Sequence, residues 1–202
     1  LKTLGRDGWH TLKDTYNLLV KDGQYKVRRS LSFSLHEIAK ILGTELTESE
    51  LLGVMEGFLK DLEDVRTLCS FLLIRLSIKR GYPQVKVGVI THLAEFFQVL
   101  SSTQREEYLY VLEEIQKDQS WRFRKLLAKY EHSTPPFHDN LTEIVKRQLG
   151  DFAALYEPAT VFEHIIPLAL GLLRDPVAAV RRPLQKCVRT YYYNNQKAHY
   201  PH

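Results

Sequence analysis

Apolar residues along this chain recur at steps of three and four, the spacing of helices with one buried face. Val27, Leu31, Leu35, Ile38 and Leu42 make one such stripe and predict a helix over residues 25–42. The next helix is predicted to open at a capping box, Thr47 with Glu50, and to bury Leu51, Leu52, Met55, Phe58 and Leu59. Val89, Leu93, Phe96, Phe97 and Leu100 mark another. A second box, Thr103 with Glu106, precedes Tyr108, Leu109, Leu112 and Ile115. Val161, Phe162, Ile165, Ile166, Ala169 and Leu173 form a further stripe, after which Asp175-Pro176 supplies an N-cap and a proline for the first helical position. No stretch of five or more residues set between turn signals alternates with period two. The pattern predicts about nine or ten helices, each roughly 10–18 residues long, and no sheet.

The turns between these helices resemble one another. Lys21-Asp22 precedes Val27-Arg28, Lys60-Asp61 precedes Val65-Arg66, Lys117-Asp118 precedes Trp121-Arg122, and Arg174-Asp175 precedes Val180-Arg181. In the third turn the indole stands where valine stands elsewhere. This is a helical-hairpin repeat. The first two aspartates are 39 residues apart, close to the roughly 40–47 of HEAT-type pairs. The next two intervals are 57 each, so insertions are expected over residues 67–86 and 129–146, the second around Ser133-Thr134-Pro135-Pro136. Each aspartate can cap the helix that follows, and an arginine five or six residues later can reach the aspartate of the adjacent repeat. The expectation is a ladder of Asp and Arg along one edge, each exposed pair contributing about 0–1 kcal/mol. Burial between hairpins supplies most of the stability.

Composition narrows the class. Of 202 residues 44% are hydrophobic, and 28 basic against 24 acidic side chains leave a net charge of +4. Two cysteines, Cys69 and Cys187, make no disulfide framework and fit a reducing compartment. No apolar run reaches the roughly 18 residues of a membrane span; the longest, Phe71 to Ile78, is interrupted by Arg75 and Ser77. The chain opens Leu1-Lys2-Thr3 without Met or a signal-like stretch, and a piece of a longer array is expected. Glycine-rich phosphate loops, G-x-S-x-G and H-E-x-x-H are all absent, which argues against an enzyme and for no cofactor. His132, His138 and Asp139 read as solvated loop residues, not metal ligands, and no metal is expected. His36, His92 and His164 read as single helix residues facing solvent or a neighbouring repeat.

Several segments carry a resemblance. Lys21 to Gly43, Phe58 to Arg66, Trp121-Arg-Phe-Arg124, and Ile166-Pro-Leu-Ala-Leu170 followed by Asp175 and Val180-Arg181 are similar to repeats of the protein phosphatase 4 regulatory subunit 1 family, as is Gly8-Trp9. The resemblance covers roughly residues 5 to 188. It implies an all-α fold, an α-α superhelix of the HEAT-repeat (armadillo-like) solenoid type. Here it would be one array over residues 1–202 of about four hairpins, two with insertions. It also implies a regulatory scaffold, cytoplasmic or nuclear, that binds a serine/threonine protein phosphatase catalytic subunit and helps direct it to substrate proteins. Partners of such scaffolds dock on the ridge of intra-repeat turns. The matching positions are Lys21, Asp22, Tyr25, Arg28, Lys60, Asp61, Asp64, Arg66, Trp121, Arg122, Asp175 and Arg181. The segment Tyr191-Tyr-Tyr-Asn-Asn-Gln196 has no match in the repeats.

Two other readings stay open on the residues alone. A helical solenoid can bind nucleic acid, here through Lys26, Arg28, Arg29, Lys79, Arg80, Arg122, Arg124, Arg181 and Arg182. A transport or assembly adaptor can bind a peptide in its concave face. Trp121 is assigned to the core between repeats, with Arg122 and Arg124 left for the ladder or a partner. Leu72, Leu73, Leu76 and Ile78 pack one helical face and leave Arg75, Lys79 and Arg80 wet.

Overall fold

Gln24 is extended and Gly43 sits at φ 78°, ψ 178°; between these two breaks the chain coils as α2 (Tyr25–Leu42), the predicted span. The Gly43 conformation is open only to a residue without a side chain, and it is what ends the helix. The computed structural model describes residue 3 and residues 5–69, 84–128 and 148–185, with the side chains of 62–69 excepted. The predicted insertions lie mostly outside the described residues, as do His132, His138, Lys79, Arg80 and the tyrosine-rich tail. Among the described residues there are helices and turns and no strand, so the fold is all-α and of the helical-repeat solenoid class. No described helix is long and apolar enough to cross a membrane.

The chain forms two compact units, Leu1–Gln104 and Arg105–His202. In the first, a 3₁₀ turn (Arg6–Gly8) leads into α1 (Trp9–Val20) and α2. Then α3 (Thr44–Leu46) and α4 (Leu52–Cys69) are joined by a π-turn over Thr47–Leu51, and α5 (Gln84–Thr91) and α6 (Leu93–Val99) close the unit. Helix α5 packs on α2 and α4, and α6 on α2. The crossing of α5 over α2 is close at Gly88, where a Cβ would lie 2.2 Å from Ser32 Oγ and 2.9 Å from the Phe33 backbone nitrogen. Leu35, Ala39, Leu42, Leu51, Met55, Phe58, Ile90, Leu93, Phe96 and Phe97 fill the core. The α2 stripe is rotated from the one read in sequence. Ser32, Leu35, His36, Ala39 and Leu42 are buried, while Val27, Leu31 and Ile38 are half-buried. Small Ser32 faces α5 because its backbone comes so near.

Following α7 (Ser102–Glu107), the second unit contains α8 (Leu109–Lys117), α9 (Trp121–Leu127) and α10 (Gln148–Ala153). Then α11 (Pro158–Thr160), a π-turn (Val161–Ile165) and α12 (Ile166–Leu173) run on, and helical residues 178–185 follow. Helix α8 packs on α9 and α12. Leu112, Ile115, Phe123, Leu127, Phe152, Leu168, Leu172 and Val180 are buried. Arg105 Nη1 donates to the Leu155 carbonyl (3.0 Å) and the Tyr156 hydroxyl to the Arg105 carbonyl (2.9 Å), which ties the approach to α11 against α7.

Several local expectations are corrected. Thr47 caps nothing: it is buried, its Oγ1 donates to the Ala39 carbonyl, and helical structure begins earlier, at Thr44. Thr103 lies inside α7, where the preceding Ser101 Oγ accepts from the Gln104 amide (3.4 Å). The turn expected at Lys60-Asp61 is absent, because α4 runs through it without a break. The last stripe is out of phase: Ile165, Leu168 and Leu172 are buried, whereas Phe162, Ile166 and Leu170 are exposed by 73%, 37% and 47%. The π-turn between α11 and α12 adds a residue to one turn of helix and rotates everything after it. Pro167, in the first turn of α12, has no N–H to donate into a regular ladder, which suits a widened turn there.

Candidate functional site

Three turns share one construction. In each, an aspartate follows the first helix and its Oδ1 accepts the backbone amide two residues on. Asp22 takes Gln24 N (2.7 Å), Asp118 takes Ser120 N (2.8 Å) and Asp175 takes Val177 N (2.8 Å). This closes a small ring that mimics a backbone turn. Six residues after each aspartate an arginine reaches back and donates Nη1 to that aspartate's own carbonyl: Arg28 to Asp22, Arg124 to Asp118, Arg181 to Asp175, at 2.5–2.6 Å. The carbonyl would otherwise be left without a helical partner at the turn.

The same arginines carry the contact to the following repeat. Arg28 donates Nε and Nη2 to the two carboxylate oxygens of Asp61, at 2.8 and 2.9 Å. Arg124 does the same to Asp175, with Nη2 at 3.1 Å and Nε at 2.5 Å. Both are fork-to-fork pairs, and both are largely buried, the Asp175 side chain being only 5% exposed. They are therefore not the exposed pairs expected from sequence. Hydrogen bonding to the Asp61 and Asp175 carboxylates raises the affinity of Arg28 and Arg124 for their protons against the opposing effect of burial. The Arg124 guanidinium in turn holds the Asp175 carboxyl below its ordinary value, burial working the other way.

This geometry divides the predicted ridge residues. Arg28, Asp61, Asp175 and Arg181 are committed to bonds inside the fold, with Asp22 half-buried beside them. Lys21 and Tyr25 are exposed at the first turn, Tyr25 by 53%. Lys60 is exposed on α4 and pairs with Glu56 (3.4 Å). Asp64 and Arg66 lie on α4 with side chains outside the described residues. Trp121 does not fill the core. Phe123, 2% exposed, stands at the position of Val27 and Val180, and Trp121 is half-buried with Arg122 (5.3 Å) and Lys125 (6.0 Å) over its ring. Sequence reasoning thus placed Asp118 at a turn but paired it with Trp121-Arg122, and left Asp118 and Arg124 out of the ridge. The signal was present as a constant step of six from Asp to Arg, obscured by the nearer Trp121-Arg122.

The structure also joins residues that the sequence keeps apart. His36 on α2 and His92, in the one-residue turn between α5 and α6, stack with ring centroids 4.0 Å apart. Glu95 lies against both, with Oε1 3.0 Å from His92 Nδ1 and Oε2 3.7 Å from His36 Nε2. Burial would raise the Glu95 carboxyl, but hydrogen bonds from Lys40 and His92 and the charge of His36 outweigh it and hold the carboxyl down at about 2. In the second unit a shallow cleft of about 360 Å³ is lined by Glu106, Glu107, Leu109, Tyr110, Glu113, Thr160 and His164.

Known proteins share this sequence pattern. Residues 1–74 match the family model of the protein phosphatase 4 regulatory subunit 1 middle domain. Over 182 residues the chain is 38% identical to the serine/threonine-protein phosphatase 4 regulatory subunit 1 of Homo sapiens and, to the same extent, to that of Mus musculus. The similarity covers 89% of this chain and 15% of each of those proteins, so the chain corresponds to a small part of their length.

Proposed function

Starting from this chain's similarity to phosphatase 4 regulatory subunits, we propose that it is a section of a regulatory scaffold, without catalysis of its own, that binds a serine/threonine phosphatase catalytic subunit and helps direct it to substrate proteins. The observation that carries the reading is 38% identity over 89% of the chain with proteins named as regulatory subunits of phosphatase 4. The turn geometry supports a division of labour within the ridge. Arg28, Asp61, Asp175 and Arg181, with Arg124 and Asp118, fix the relative placing of helices. The partner is met by Lys21 and Tyr25 at the Asp22 turn, by Lys60 on α4, and by Trp121 and Arg122 after the Asp118 turn, all with side chains at or near the surface. Aromatic and arginine side chains are the types that most often dominate such contacts.

The test is co-purification of the 202-residue chain with a phosphatase 4 catalytic subunit, with affinity measured by calorimetry. Lys21→Glu combined with Arg122→Glu is expected to weaken binding at least tenfold while helix content stays unchanged. A folded chain that captures no phosphatase catalytic subunit would sink the proposal. The nucleic-acid reading finds less support, since Arg28 and Arg124, two of its main cations, already bind carboxylates.

A further inference from the structure

Two imidazoles and a carboxylate converge in the first unit from elements far apart in sequence. One ligating atom each from His36, His92 and Glu95 lies within 4.8 Å of the others. The two contacts to Glu95, His92 Nδ1 to Oε1 at 3.0 Å and His36 Nε2 to Oε2 at 3.7 Å, use different carboxylate oxygens, and each is near the roughly 3.3 Å that separates donors around a tetrahedral ion with bonds of about 2.0–2.1 Å. We propose that His36, His92 and Glu95 form a binding site for a divalent transition metal, zinc being the best match, that staples α2 to the turn before α6.

The donor set selects the metal class. Two neutral imidazole nitrogens and one carboxylate oxygen suit zinc, cobalt or nickel, whereas calcium and magnesium call for a shell of oxygens. Three protein ligands leave a fourth position for water. Glu95 is already oriented: Lys40 holds its Oε2 at 2.5 Å, leaving Oε1 turned to His92. His36 is 7% exposed and its Nδ1 has no hydrogen-bond partner, so nothing on that edge of the ring competes with a rearrangement.

The rearrangement required is specific. The two rings are 11° from parallel, so their in-plane lone pairs run side by side and do not meet at one point. A shared ion needs the His92 ring to turn about its side-chain bonds. Its place outside either helix, with 28% of the side chain exposed, allows that. Phe33, edge-on at 6.4 Å, bounds the swing on one side. Because no acceptor supports the second nitrogen of His36, affinity should fall about 10–100-fold below that of a site with such support.

The experiment titrates cobalt(II) into the 202-residue chain and follows visible absorption, then displaces the cobalt with zinc, with thermal melting run in parallel. A single saturable site with a tetrahedral spectrum, reversed by chelator, and a zinc-dependent rise in melting temperature are expected. His92→Gln and Glu95→Gln change partly exposed groups and should each weaken binding at least tenfold with helix content retained. A joint His132→Gln and His138→Gln variant should bind as the parent does. No saturable binding, binding unchanged in His92→Gln and Glu95→Gln, or binding lost in the His132/His138 variant would overturn the site.

Discussion

Arg124 makes four hydrogen bonds to three residues: to both oxygens of Asp175, to the Asp118 carbonyl and to the Gln119 carbonyl. Removing it leaves a buried carboxylate without its counter-charge and a turn carbonyl without a donor. Arg124→Ala is therefore expected to lower unfolding stability by about 3–5 kcal/mol, measured by urea denaturation. Arg124→Lys should recover little of this, since a point-like ammonium cannot span two carboxylate oxygens and a carbonyl together. The pair also sets a pH dependence. A carboxyl held below its ordinary value when folded binds fewer protons than the same carboxyl unfolded. The Asp175 contribution is thus full above the unfolded value of about 4 and is lost as pH falls through the lower folded value. The stability gap between the parent and Asp175→Asn should be constant at neutral pH and should shrink below about pH 4. Sequence alone exposed the Asp–Arg pairing but misplaced one partner. Arg122 and Arg124 are chemically equivalent and two residues apart; the constant step of six favours Arg124, and its hydrogen bonds to the Asp118 carbonyl and to Asp175 identify it as the turn residue.

At the level of the helix, what could be read in advance depended on regular coiling. The span of α2 and the buried faces of α4 and α6 follow from a stripe at constant phase. Of the faces that went wrong, the last runs through a π-turn, where one added residue rotates the stripe and no composition signal marks it beyond Pro167, and the α2 face is rotated toward the close approach of α5 at Ser32. The meeting of His36 with His92 was illegible for a different reason: it depends on which helices pack, and that depends on Gly88. There an added methyl meets the Phe33 backbone, which cannot give way as a side chain can. Gly88→Ala is expected to cost about 1–3 kcal/mol in thermal or urea unfolding. Gly171 makes the control. Its added methyl would meet only the end of the flexible Gln116 side chain, so Gly171→Ala should be neutral or stabilising by up to about 1 kcal/mol. Equal losses at both positions would refute the close crossing.

For the whole molecule, the net charge of +4 is a poor guide to partners. Arg28 and Arg124 at the turns are matched by carboxylates inside the fold, so neither is free to release counterions from a polyanion. Affinity for duplex DNA, followed by fluorescence anisotropy between 50 and 200 mM salt, should be weak and should fall far less than the roughly 10³–10⁵-fold of a protein with six to ten phosphate contacts. The double use of one arginine has a further consequence, for kinetics. Arg28 fastens its own turn through the Asp22 carbonyl and grips the next helix through Asp61 with the same planar group. Melting of α4 near Asp61 would free the fork and loosen the Asp22 loop as well. The Gln24 amide, bonded to Asp22 Oδ1, should then exchange its hydrogen at a rate set partly by a helix 37 positions further along the chain, and Asp61→Ala should speed that exchange without touching the turn itself.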